Sequence, residues 1–132
     1  MRTVVVGHVA TAEGEAALTR AVEEARLREA RLVVVISHRG GNELDDAEAQ
    51  ELETRDAELV ARLEPSGIDF EVRRLVRGFE PAEDLIGIAE ATEAELIVIG
   101  LRRRSPVGKL LLGSNAQRIL LDAPCAVLAV KG

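Results

Sequence analysis

The 132-residue chain is 47% apolar and 30% charged, with a formal net charge of −6, which suits one compact domain, residues 1–132, with a substantial core and little room for a second. The acid excess, with Phe70 and Phe79 as the only aromatic residues, argues against nucleic acid as the main partner, because phosphate backbones recruit basic surfaces and base stacking needs aromatic platforms. No apolar run reaches the roughly 18 to 20 residues that cross a bilayer, and the single cysteine, Cys125, excludes an internal disulfide and suits the cytoplasm.

The opening, Met1 to Gly7, reads as a strand and lacks the longer apolar region and cleavage site of a signal peptide. Thr3 to Val6 is its β-branched part. Ala12 to Glu29 carries Leu18, Ala21, Val22 and Ala25 at helical spacing, with Thr11 as the expected cap. Leu32 to Ile36 is a second buried strand, and Gly40-Gly41-Asn42 marks a loop. Leu44 to Leu63 is a long acidic helix with Leu52, Leu59, Val60 and Leu63 inward, closed by Pro65-Ser66-Gly67. Its acidic residues, Asp45, Asp46, Glu48, Glu51 and Glu53, spread around the helix instead of converging, which gives a solvated face and no paired-carboxylate centre.

Ile68, Phe70 and Val72 alternate with Asp69, Glu71 and Arg73, the pattern of a half-exposed strand at a sheet edge. Pro81 suits the first turn of a helix running to about Thr92, with Leu85, Ile86 and Ala89 inward. Leu96 to Ile99 is the fourth strand. Ser114 to Leu121 is a short helix with Ala116, Ile119 and Leu120 on one face, ended by Asp122-Ala123-Pro124. Cys125 to Val130 is the last strand.

Short, nearly all-apolar strands alternating with helices imply an α/β fold, a parallel sheet covered on both faces. Ligands of such sheets sit beyond the strand C-termini where strand order reverses. That points to Gly7-His8-Val9 and Gly100-Leu101. Between Gly100 and Ser114 the loop carries Arg102, Arg103, Arg104 and Lys109, then Gly113-Ser114 opens a helix. A basic glycine-containing loop leading into a helix N-terminus, with Ser114 as the expected N-cap, is the makings of a phosphate site. His8 and His38 follow neighbouring strands but are too few for a structural zinc site, so no metal is expected and His8 is placed at the lip of the cleft. Cys125 is a small apolar filler with no catalytic role.

The residues at this point resemble the universal stress protein family. The family pattern is a glycine, two residues, a glycine, nine residues, then Gly-Ser or Gly-Thr, and Gly100, Arg103, Gly113 and Ser114 occupy those places. The likeness covers the whole chain, from the Val4-Val5-Val6-Gly7 opening to the closing Ala123 to Lys131. It implies a five-stranded parallel sheet in strand order 3-2-1-4-5, Rossmann-like and of the adenine nucleotide alpha hydrolase type. It also implies ATP or AMP as ligand, bound by residues at the positions of Val9, Ser37, Gly100, Arg103, Gly113, Ser114 and Asn115.

Two of those positions depart from the family. Val9 stands where ATP-binding members carry an aspartate that holds the ribose and adenine end, and Arg103 replaces the second glycine. A valine accepts no hydrogen bond, and an aspartate that does so contributes about 1–3 kcal/mol, or about 10- to 100-fold in affinity. Arg103 either blocks the close backbone approach that glycine allows or compensates by pairing with phosphate. Two functions therefore stand beside each other: a nucleotide-binding stress-response module, and a nucleotide-independent interaction protein of the same family. An enzyme is the third reading, disfavoured because no nucleophile–base pair is evident; the family allows slow ATP hydrolysis. The unbroken apolar edge from Cys125 to Val130 favours pairing with the same strand of a second copy, and the resemblance implies the same homodimer.

Overall fold

The computed structural model describes residues 2–37, 46–75, 81–102 and 112–132. In chain order these give β1 (Thr3–Gly7), α1 (Ala12–Arg28), β2 (Arg31–Ser37), α2 (Asp46–Leu63), a 3-10 turn (Glu64–Ser66), β3 (Phe70–Leu75), α3 (Pro81–Ala91), β4 (Leu96–Leu101), α4 (Ser114–Asp122) and β5 (Ala126–Lys131). The five strands form one parallel sheet in the order β3-β2-β1-β4-β5. The fold class and strand order match the expectation from sequence.

Alternation along the strands divides the core in two. Val4, Val6, Leu32, Val34, Leu96 and Val98 face α1 and α2, where they meet Ala17, Leu18, Ala21, Leu59 and Leu63. Val5, Val33, Val35, Ile97 and Ile99 face α3 and α4, where they meet Ala82, Leu85, Ala89 and Ile119. The three central strands are buried on both faces, so each of these valines and isoleucines contributes about 1.5–3 kcal/mol by leaving water. That explains why β1, β2 and β4 read as continuous apolar runs.

The edges deviate from the sequence reading. β3 starts at Phe70 instead of Ile68, and all six of its residues are half-buried, because an edge strand is covered on only part of each face. Its charges are paired locally: Arg73 with Glu71 and Arg74 with Asp56. β5 begins at Ala126, one residue after Cys125. In α2, Leu59 and Leu63 are buried while Leu52 and Val60 are only half-buried. In α3 the inward stripe is Ala82, Leu85 and Ala89 flanked by Ile88; Ile86 sits outside it. Leu120 of α4 is 43% exposed, because the helix turns Ala116 and Ile119 to the sheet instead.

The placement of α1 depends on glycine. Thr11 caps α1 as expected, its hydroxyl accepting from Gly14 N at 3.2 Å. Gly14 is buried, and a Cβ there would run into the carbonyl and Cγ2 of Val9. Helix propensity alone makes alanine better than glycine by about 1 kcal/mol. The clash is with backbone, however, and overpacking of that kind costs about 1–3 kcal/mol. We therefore expect Gly14→Ala to lower unfolding free energy in urea titrations despite its better propensity; an increase would mean that the turn from Val9 to Thr11 yields freely.

Candidate functional site

β1 and β4 pair through Val4–Leu96, Val5–Ile97 and Val6–Val98, and there their ladder ends. Beyond it, β1 stays with β2 through Gly7–Val35 and the His8 N–H donates to the Val35 carbonyl at 3.0 Å. β4 meanwhile stays with β5 through Gly100–Val130 and Leu101–Lys131. The two strands part, and a cleft of about 510 Å³ opens between them at the sheet's C-terminal edge. A cleft of that size is in the range that takes small-molecule ligands.

The cleft is assembled from the strand ends and the helices around them. The end of β1 supplies Gly7, His8 and Val9; the end of β4 supplies Ile99, Gly100 and Arg102. Pro81 and Leu85 of α3 form an apolar wall with Val35. Asn115, Ala116 and Ile119 come from α4, and Thr11 and Glu13 from the start of α1. Two glycines let the walls approach. A Cβ on Gly7 would sit 2.8 Å from Leu85 Cδ1, and one on Gly100 would collide with the Glu13 backbone.

Of the residues singled out by sequence, Val9, Gly100 and Asn115 meet in this cleft. Val9 is 50% exposed, an apolar side chain facing open space at the site's rim. Gly113 and Ser114 flank Asn115 without lining the cleft. Ser37 ends β2, its backbone opposite Leu75 of β3. Arg103, Arg104, Lys109 and His38 lie outside the described residues, as does Asp45.

The cap of α4 differs from expectation. Gly113, at φ −70 and ψ 165, is the N-cap, and Ser114 is already the first helical residue. Gly113 has no side chain to fold back onto the next amides, so among the described residues no side chain caps this helix. α1 is the contrast, since Thr11 occupies its first-turn amide. The start of α4 thus keeps amides and positive helix-dipole character available beside Asn115.

His8 stands between this cleft and a second of about 430 Å³ that lies between α1 and α2. It is 9% exposed, its Nδ1 has no hydrogen-bond partner among the described residues, and its Nε2 lies 3.7 Å from Glu15 Oε1. Glu15 is held in turn by Arg62 of α2, at 3.3 Å to Nη1 and 2.5 Å to Nη2. That forked hydrogen bond from Arg62 is the main reason the Glu15 carboxyl sits below its ordinary 4.5, with burial opposing and the Arg62 and His8 charges assisting. Burial pushes the Cys125 thiol up, which suits its apolar role. No group of three or more His, Cys, Asp or Glu able to hold a metal occurs among the described residues.

His8, Val9, Gly100, Arg102 and Asn115, named from sequence, line this cleft, and with them stand Glu13, Pro81 and Leu85, which sequence reasoning did not assign to a site. Glu13 and Leu85 looked like ordinary helix positions. Their role depends on where each helix starts relative to the strand ends.

The model of the universal stress protein family matches residues 1–131. A universal stress protein of Mycolicibacterium smegmatis is 45% identical over 128 residues, covering 97% of this chain and 96% of that protein. A universal stress protein from Archaeoglobus fulgidus, solved in complex with dAMP, superposes with a TM-score of 0.75 at 33% identity, over 99% of this chain and 98% of that one. Another, solved in complex with cAMP, has a TM-score of 0.74 at 26% identity, over 98% and 96% of the two chains.

The Glu15–Arg62 pair makes a pH prediction. A carboxyl whose folded pKa is lowered adds stability above its unfolded pKa and loses it as pH falls through the folded one. Both partners are about half exposed, so solvent screening keeps the effect below about 1 kcal/mol. Glu15→Gln should lower the melting temperature slightly at pH 7, and the gap to the parent protein should close as pH falls from the ordinary 4.5 through the lowered folded pKa. A gap that is unchanged in acid would remove the ion pair as its cause.

Proposed function

This chain belongs to the universal stress protein family, and from that premise we propose that it is a cytoplasmic stress-response module binding an adenine nucleotide, ATP or AMP, between β1 and β4. The observation that carries the reading is the parting of β1 and β4 after Val6 and Val98, with Gly100 and Asn115 facing across the gap. The apolar wall of Val35, Pro81 and Leu85 suits a base. The α4 start, free of a side-chain cap, suits a phosphate, with Arg102 adding charge at the same cleft. Relatives above 25% identity solved with dAMP and with cAMP support a ligand carrying one phosphate.

The module binds and does not turn over its ligand in this reading: the one hydroxyl among the described lining residues, that of Thr11, is engaged as the cap of α1. No described helix is long and apolar enough to cross a membrane. The test is a thermal shift with AMP, ATP and cAMP, with GMP as control. Adenine nucleotides at millimolar concentration should raise the melting temperature by a few degrees. Asn115→Asp, which sets a negative charge at the α4 start, should weaken binding by about 10-fold or more. If no nucleotide shifts the parent protein, the nucleotide-independent interaction role takes its place.

Assembly is part of the same proposal. β5 is an outer strand whose second edge has no partner strand among the described residues, and it carries Val127, Leu128, Ala129 and Val130 with no charge before Lys131. Pairing with β5 of a second copy satisfies that edge in a two-fold dimer. Light scattering should give the mass of two chains for the parent protein and shift toward one for Val130→Lys. A dimer mass that survives the lysine would locate the contact elsewhere.

A further inference from the structure

The first turn of α1 brings a carboxylate to the cleft. Glu13 lines the cleft with Gly100, Arg102 and Asn115. It is half-buried, and neither it nor Arg102 makes a hydrogen bond or ion pair among the described residues. Its root is fixed in place. The Thr11 cap holds the turn, and a Cβ on Gly100 would fall 3.0 Å from Glu13 Cβ, while one on Gly132 would fall 2.8 Å from it. The side chain therefore leaves a backbone wedged against the ends of β4 and β5, beside the glycine at the cleft floor.

A carboxylate only accepts hydrogen bonds, so it needs donors from the ligand. The phosphate of a nucleotide offers acceptors and negative charge, which Glu13 repels. The sugar offers two neighbouring hydroxyls, a match for two carboxylate oxygens. Val9 presents no acceptor at the rim. Arg102 and Asn115 carry the donors that a phosphate needs. The cleft is polarised, with an acceptor on the α1 side and donors toward β4 and α4.

We infer that Glu13 reads the sugar: its carboxylate accepts from the ribose hydroxyls of an adenine nucleotide whose phosphate points to Asn115 and the start of α4. This rests on the nucleotide reading above. The test is calorimetric titration of the full chain with AMP, 2′,3′-dideoxy-AMP and inosine monophosphate, with the parent, Glu13→Ala and Glu13→Gln. The parent should bind AMP about 10-fold or more tighter than dideoxy-AMP. Glu13→Ala should bring AMP down to the dideoxy level and leave dideoxy-AMP unchanged. Glu13→Gln should keep part of the difference, because its amide oxygen still accepts. Melting temperatures of the variants, within a few degrees of the parent, check that the fold is intact.

Equal binding of AMP and dideoxy-AMP by the parent, or a difference that persists in Glu13→Ala, overturns the role of Glu13 and leaves the nucleotide reading standing. A preference for AMP over inosine monophosphate that vanishes in Glu13→Ala assigns the carboxylate to the base amine and overturns it too. Failure of the parent to bind any of the three sinks both readings.

Discussion

Past Val6 and Val98, β1 and β4 have no common ladder, because each keeps its other neighbour: β1 runs on with β2, β4 with β5. The cause is the reversal of strand order. Successive right-handed crossovers carry the chain from β1 to β2 to β3 on one side, then back across the sheet to β4 and on to β5. The helices follow, α1 and α2 on one face and α3 and α4 on the other. At the point where the two directions meet, no helix can cover the gap between the strand ends. The cleft is a consequence of the winding and needs no special residue to open it.

Special residues are needed to shape it. Gly14 and Gly100 let the first turn of α1 lie against the Val9 carbonyl and the end of β4. Gly7 makes room for Leu85. These contacts bring Glu13, His8 and Asn115, distant in sequence, to one opening. The two helix starts at the opening are treated differently. α1 has its first turn capped by Thr11 and carries Glu13 and Glu15 there; α4 has neither cap nor acid in its first turn. An anion is repelled from the first and attracted to the second. The opening is thereby polarised from one helix start to the other.

Rigidity of the α1 side comes from more than glycine packing. The fork between Arg62 and Glu15 ties α1 to α2, and Glu15 in turn neighbours His8. The wall between the two clefts is thus linked to the helix pair behind it. As an exposed pair it adds little to global stability; α2 is held to the sheet by the burial of Leu59 and Leu63.

The amino-acid sequence by itself determined the order of elements, the parallel sheet and the place of the cleft. Those follow from local patterns: runs such as Leu32 to Val35 are apolar at every position because both faces are covered, and Thr11 and Pro81 mark helix starts by their own chemistry. Gly100 and Asn115 were legible for the same reason, lying just after a buried strand and at the start of a helix. Only the tertiary structure decided that Gly113 and not Ser114 caps α4, that Leu120 faces out, and that Glu13 belongs to the cleft. Each of these depends on the rotation or offset of a helix relative to strands far away in sequence. A helix pattern fixes which residues share a face, but the distance from that face to a strand end is set by packing, here by side chains that glycines lack.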